Sequence, residues 1–472
     1  MLRDVAAIFS EVLGSGAVVA DEAGMAGYLT DWSGDHRGMA AAVLRPRSVE
    51  HVSRVVHLCR EHHLAIIPQG GNTGLVAGAI DGQGRRAVVV STERMDRIRS
   101  VDPVDFTLRA DAGCTLQAIR EASEAADCLF PLALGAQGSC RIGGNAATNA
   151  GGVNVLRYGM ARDLILGLEV VLPDGEVWNG FSGLRKDNRG YDLKQIFIGS
   201  EGTLGIVTGV EVKLFPRPTS VETAYLGVAS FADAMRLFAH ARRACSDLMT
   251  AFEVIGAECI ELARLIHPEL NVPVTAPVHI LMEVSASGPI DLRSTVETFL
   301  ASAVGDGLVS GAVLAQSQSQ ARALWSIREG LVEGQARRGY HVRTDVSVPL
   351  SSVPAFVDEA RATIAEGFAG WLPQAYGHAG DGNVHFNVLP PVGLNDAQAR
   401  STGKSIETVL LALVARFGGS ISAEHGIGRS KRDAFWATAA PVHKRLMRSL
   451  KVALDPQGLM NPGCLLPAED AL

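Results

Sequence analysis

Four things are scarce or missing in this 472-residue sequence, and each removes a class of function. The seven cysteines, Cys59, Cys114, Cys128, Cys140, Cys245, Cys259 and Cys464, are odd in number, scattered, and free of any Cys-x-x-Cys spacing. They argue against a disulfide framework and a cysteine zinc site, and for a reducing compartment. There is no surplus of positive charge: 43 Lys and Arg against 50 Asp and Glu leave a net charge of -7. Without a basic stripe, nucleic acid is not an expected partner. No apolar run approaches the ~20 residues of a membrane span. The N-terminal MLRDVAAIFSEVLGSG is broken by Asp4 and Glu11, so neither a signal peptide nor a transmembrane helix is expected. The reading is cytoplasmic, or mitochondrial matrix for a processed eukaryotic form. Internal repeats and low-complexity segments are absent as well.

What is present fits a large globular chain. Hydrophobic residues make up 47% and charged residues 20%, enough to bury cores for two or three lobes. Ser48 caps an expected amphipathic helix with an apolar stripe at Val52, Val55, Val56 and Cys59. The chain then enters a short strand, Ala65-Ile66-Ile67-Pro68, and the glycine loop Gly70-Gly71-Asn72-Thr73-Gly74. This order is helix, strand, loop. A Rossmann fingerprint needs strand, loop, helix, so that reading fails. Further strands are expected at 87–91 and 107–110, with a hairpin of 168–172 and 176–178 turned by Pro173-Asp174-Gly175. A second α+β lobe follows from about 220 to 410, including a helix over 317–335 with Leu324, Ile327 and Leu331 along one side. Residues 396–454 read as helical, interrupted by the glycine-rich 418–428.

The loop over 68–74 packs three glycines among small polar residues, so successive backbone N–H groups can face a phosphate with no Cβ in the way. A longer cluster, Gly138 to Gly152, repeats that chemistry, and Gly199 to Val207 carries a third set. Tight turns alone would account for one such loop, but two in one lobe point to a dinucleotide. PQGGNTGLVAG, LGAQGSCRIGGNAATNAGG with LRYG, and LRKDNRGYDLKQIFIGSEGTLGIVT resemble the FAD-binding lobe of the vanillyl-alcohol-oxidase (PCMH-type) flavoproteins over most of residues 36–217. The resemblance implies FAD held by Pro68, Gly70, Gly71, Asn72, Thr73, Gly74 and Leu75 in the first loop, and by Gly135, Ser139, Gly143, Gly144, Asn145, Thr148, Asn149, Gly151 and Gly152 in the second. It adds Glu201, Gly202 and Ile206 from the third and Asn461 from the C-terminal NPG segment. Covalent members carry histidine after the paired glycines; here the residue is Asn72, so non-covalent FAD is expected.

In the second lobe, Gly380-Asp381-Gly382 reads as a turn between His378 and His385. Period-two alternation then sets Val384, Phe386 and Val388 on one face and His385 with Asn387 on the other. Two imidazoles and a carboxylate, with a position left open for substrate, suit a divalent ion such as zinc, and Glu424 is the candidate third ligand. A lone histidine is usually an inert, hydrogen-bonded one; a set within two glycine-flanked motifs is not so easily dismissed. HAGDGNVH and AEHGIG resemble the metal motifs of the D-2-hydroxyacid dehydrogenase branch, which contains the D-2-hydroxyglutarate, D-lactate and glycolate dehydrogenases. The resemblance implies His378, His385 and Glu424 as ligands, Asn387 as a substrate contact and His425 as the base. Oxidising the alcohol requires loss of the hydroxyl proton as hydride leaves C2 for the flavin, and a bound zinc can bring the pKa of a coordinated oxygen from ~16 to ~7.

Arg328 matches the branch's substrate-binding arginine, and its position beside the apolar seam of its helix argues against a merely solvated side chain. Glutarate-specific members place a threonine one turn later and a lysine further on, where this chain has Val332 and Arg343. The expected architecture is α+β: an N-terminal helical segment (1–35), an FAD-binding domain (36–217), a substrate domain with a ferredoxin-like antiparallel sheet (218–410), and a C-terminal helical segment (411–472). The expected substrate is a D-2-hydroxy acid, D-2-hydroxyglutarate first and D-malate as a shorter diacid, with electron-transfer flavoprotein or a quinone as acceptor and a homodimer as the assembly considered. The competing readings are a D-lactate or glycolate dehydrogenase, an alkyl-dihydroxyacetone-phosphate-synthase-like transferase, disfavoured by the lack of a three-histidine run, and a metal hydrolase.

Overall fold

The computed structural model describes residues 2–80 and 86–467. The chain forms two compact units, one of residues 1–152, 159–217 and 424–472, the other of 153–158 and 218–423.

The first unit is built on two sheets. In the four-stranded one, Ala42–Leu44, Ala87–Ser91 and Ala65–Gln69 run parallel, and Val18–Val19 adds an antiparallel edge. The Val49–His62 helix is started by the Ser48 hydroxyl, which accepts the His51 N–H, and ends on His63 in the left-handed region. Its Val52, Val55, Val56 and Cys59 bury against Ile66, Val88, Val90 and Met460, each such side chain contributing ~1.5–3 kcal/mol. A five-stranded antiparallel sheet places Ile206–Lys213 between Thr107–Asp111 and Ile165–Val171. The expected hairpin is there, as Ile165–Val171 paired with Val177–Asn179.

The second unit carries one seven-stranded antiparallel sheet. Ser220–Val228, Met249–Gly256, Val278–Ala286 and Gly311–Leu314, with the Phe231–Cys245 and Leu292–Gly305 helices between them, follow a β-α-β-β-α-β path. They stand in the order fourth, first, third, second, which is the expected ferredoxin-like arrangement. Leu372–Gly377, Asn383–Leu389 and Val346–Ser347 extend it beyond Met249–Gly256. One face packs Leu226, Phe252, Val254, Met282, Val384, Phe386 and Val388 into a single core. The opposite face supports the Ile260–Ile266 and Gln318–Arg337 helices through Tyr225, Ile255, Leu281 and Tyr376. These two helices cross closely because Gly334 lies against the backbone of Leu262, where a Cβ would come within 2.1 Å of its carbonyl oxygen.

The chain passes from the first unit to the second at 217/218. The first 35 residues are no separate segment, since Phe9, Met25 and Leu29 are buried in the first unit's cores. The 410/411 boundary falls inside the Asp396–Arg416 helix, whose Ile406, Leu410, Leu413 and Val414 belong to the core of the second unit. Residues 153–158 also leave the FAD-binding range, with Arg157 Nη1 donating to the Ser285 carbonyl at 2.6 Å. Residue 1 and residues 468–472 of those divisions lie outside the described residues.

Candidate active site

In the first unit the glycine loops meet backbone to backbone. A Cβ at Gly71 would stand 2.0 Å from the Ser139 carbonyl oxygen, and one at Gly70 would be 3.4 Å from Gly144 Cα. A Cβ at Gly152 would come within 2.0 Å of the Ala133 oxygen. At Gly71 and Gly152 only glycine permits the approach. Gly74, Gly135 and Ser139 are exposed, and Pro68, Thr73, Leu75 and Gly151 belong to the same two loops. Asn145 is buried, and its Oδ1 finds no protein partner, so the second loop holds a polar atom suited to a ligand. The donors and the cradle therefore fit a dinucleotide.

Several expected cofactor residues place their side chains elsewhere. Asn72, in the left-handed region, gives its amide to the Gly27 and Thr30 carbonyls. Thr148 bonds back to the Gly144 oxygen, and Asn149 Oδ1 accepts the Arg162 N–H. Ile206 packs into the core. Gly202 closes against Pro68. Glu201, also left-handed, accepts the Ile427 and Gly428 N–H groups at 2.8 and 2.7 Å, and burial pushes its carboxyl above the usual range against those two bonds. It fixes the backbone two residues after His425. Asn461 gives its Nδ2 to the Gly78 and Glu201 carbonyls and takes the Arg429 guanidinium on Oδ1. With these bonds Glu201 and Asn461 brace the backbone around them.

In the second unit, the strand Asn383–Leu389 presents its side chains in the expected alternation, with Val384, Phe386 and Val388 in the core and His385 and Asn387 on the other face. His378 follows Leu372–Gly377, and the 378–382 turn brings it beside His385: their ring centroids are 5.5 Å apart, edge to face, with candidate ligand nitrogens within 4.8 Å. Glu253, from the neighbouring strand, lies behind them. Its Oε1 takes His378 Nδ1, and its Oε2 takes Arg328 Nε at 2.5 Å. A carboxylate only accepts, so Nδ1 carries a proton; in the neutral ring the lone pair is then at Nε2, and in the protonated ring the imidazolium charge faces Glu253. Burial alone would push Glu253 up; the His378 and Arg328 charges and their hydrogen bonds outweigh it and hold the carboxyl at about 2.

Arg328 is buried on the inner stripe of Gln318–Arg337 with Leu324, Ile327 and Leu331, and its guanidinium lies over the Tyr376 ring at 4.8 Å. Val332, one turn on, is 48% exposed. Asn387 is the hub of a network: Oδ1 accepts the Thr344 N–H, and Nδ2 donates to Gln335 Oε1 and the Tyr376 hydroxyl. Arg343 sits on the segment that pairs with the strand edge through Val342 and Val388, its Nε donating to His341. Glu424 and His425 belong to the first unit; the preceding residue, Ala423, ends the second, its N–H on the Asp345 carbonyl. The pair His378 and His385, each buried and one with its Nδ1 backed by a carboxylate, fits a divalent ion. Glu253, Tyr376 and Gln335 are not singled out by sequence reasoning; the one signal for Glu253 is an acid inside the otherwise uncharged MTAFEVIG.

Residues 40–180 match the model of the FAD binding domain, and residues 217–465 match the C-terminal domain of FAD linked oxidases. The chain is 40% identical over 453 residues to a D-2-hydroxyglutarate dehydrogenase, mitochondrial, of Bos taurus, covering 96% of this chain and 81% of that protein. A D-2-hydroxyglutarate dehydrogenase of Xanthomonas citri is 36% identical, covering 94% and 93%. Among solved structures, p-cresol methylhydroxylase with substrate bound superposes with a TM-score of 0.75 at 17% identity over 98% of this chain and 96% of that one, a likeness of fold. Among the described residues no helix is long and apolar enough to cross a membrane.

Proposed function

The chain belongs to the FAD-linked oxidases and is an FAD-dependent D-2-hydroxyacid dehydrogenase, and from that premise we propose that it oxidises D-2-hydroxyglutarate to 2-oxoglutarate with non-covalent FAD and a divalent ion, zinc, at His378, His385 and Glu424. The observation that carries this reading is the Glu253-backed His378 beside His385, on the sheet face where Arg328 is also buried. When bound, the flavin supplies the hydride acceptor and the metal ion lowers the pKa of the substrate's 2-hydroxyl.

The protein's own groups do the rest. His425 takes the hydroxyl proton, a role suited to an imidazole near neutral pH. Glu201 holds the Ile427 and Gly428 backbone that follows it. Arg328, its plane fixed over Tyr376 and its Nε on Glu253, is preorganised to meet a carboxylate, and Arg343 adds a second cation at the strand edge. The electron acceptor would be electron-transfer flavoprotein or a quinone. A second reading, a D-lactate or glycolate dehydrogenase, draws on Val332, which is exposed and donates no hydrogen bond to a distal carboxylate.

Anaerobic mixing of the yellow holoenzyme with D-2-hydroxyglutarate, D-malate, D-lactate and glycolate, with and without chelator, tests the reading by flavin bleaching. Fastest bleaching with D-2-hydroxyglutarate, abolished by metal removal while FAD stays bound, is expected. Bleaching indifferent to complete metal removal would refute the metal role, and a preference for D-lactate would move the substrate to the second reading.

A further inference from the structure

Glu253 occupies the middle of Met249–Gly256, the fourth of seven strands, with its side chain wholly out of water. An ionised carboxylate in such a place is costly unless every lone pair finds a donor, and a buried ion pair is seldom a better stabiliser than packed hydrocarbon. Its neighbours on the apolar face, Phe252 and Val254, show that the strand is held without it. What the carboxylate does instead is grip two groups from different elements, one with each oxygen: His378, on the turn after Leu372–Gly377, and Arg328, on Gln318–Arg337.

Both groups need orienting. An imidazole offers a metal one lone pair, and the hydrogen bond at Nδ1 decides that it is at Nε2 and which way the ring faces. A guanidinium meets a carboxylate well only in one plane; here Tyr376 sets the plane and Glu253 stops its rotation. We propose that Glu253 is a positioning residue that couples the two, so that metal retention at His378 and substrate affinity at Arg328 depend on one another through a single carboxylate. By linkage, a change at either end is felt at the other. The inference rests on the reading above, in which His378 holds a metal and Arg328 a substrate carboxylate.

Glu253→Gln separates the alternatives, because its amide keeps an acceptor at one of the two positions and turns an N–H donor on the partner at the other. The holoenzyme is dialysed against graded chelator, and metal, FAD, melting temperature and KM are followed. Glu253→Gln is expected to lose zinc at about 10–100-fold lower chelator strength, with a raised KM for D-2-hydroxyglutarate and unchanged FAD content. The decisive variant is Arg328→Lys, which lacks Nε and is not a metal ligand: it should also lose zinc more readily than wild type, by several-fold. It carries the test together with Glu253→Asp if Glu253→Gln fails to fold. Wild-type zinc retention in Arg328→Lys, or in a folded Glu253→Gln with unchanged KM, would overturn the coupling while leaving the metal reading intact. A wild-type enzyme that holds no metal would overturn both.

Discussion

The two units prepare for a ligand with different materials. The first uses backbone: Gly70 against Gly144, and Gly71 against Ser139, are approaches made of missing side chains. The second uses side chains, drawn from three strands and a helix onto one face of one sheet. A backbone cradle binds whatever phosphate chain fits it and performs no chemistry. A side-chain face can be tuned residue by residue, and each residue depends on partners far away in the chain. The glycine cradle fails in cofactor binding, the working side chains in substrate affinity or turnover, and substitutions can be chosen to test that division.

The largest effect is expected at Gly71→Ala, whose new Cβ would stand 2.0 Å from the Ser139 carbonyl oxygen; the loops must part, and purified protein should come out colourless by flavin absorbance. Yellow protein with normal FAD content would break the comparison at its first term. His425→Ala should do the reverse, keeping FAD while the rate of flavin reduction falls by about 10²–10⁴-fold, the usual share of a general base. Arg328→Ala removes a cation from a buried pair and should raise the KM for D-2-hydroxyglutarate by about 10–100-fold, as hydrogen bonds to charged groups are worth ~1.5–3 kcal/mol. It should also lower the melting temperature, because Glu253 is left with one partner; an unchanged KM for the diacid would sink the recognition role. Glu201→Gln tests the one place where the first unit uses a carboxylate on backbone near His425: a loss of about 2–10-fold in turnover, with FAD unchanged, matches a hydrogen bond of ~0.5–1.5 kcal/mol. Val332→Thr, on an exposed site, should shift stability by no more than ~0.5 kcal/mol, and the ratio of D-2-hydroxyglutarate to D-lactate turnover reports whether this position meets the substrate.

The same contrast explains which features are legible in the amino-acid sequence. Backbone sites are local, so the glycine loops stand out as runs of residues, and the Ser48-capped helix and the 378–385 turn are visible for the same reason. Glu253 is invisible because its importance lies in His378, 125 positions away, and a single acid in a strand has no period or motif. The division at 410 fails because the apolar stripe of Asp396–Arg416 says that one side is buried and cannot say in which core. Asn461 and Glu201 sit in motifs that suggest a ligand, and nothing in those motifs says that their amide and carboxylate also hold backbone.

The last part of the chain closes the first unit: Asn461 N–H reaches the Ile66 carbonyl, Met460 lies in that unit's core, and buried Lys451 ties Thr203 to Met460. During synthesis, then, nearly four hundred residues separate the strand Ala65–Gln69 from the segment that covers it. The second unit, almost contiguous in sequence, can fold on the ribosome as its residues emerge, whereas the first must keep an apolar edge waiting until residues 459–461 have been made. Contacts of such span form slowly and leave surface exposed to aggregation, so the yield of this protein in a cell should be governed less by the stability of its cores than by how its earliest-made unit is protected while it is incomplete.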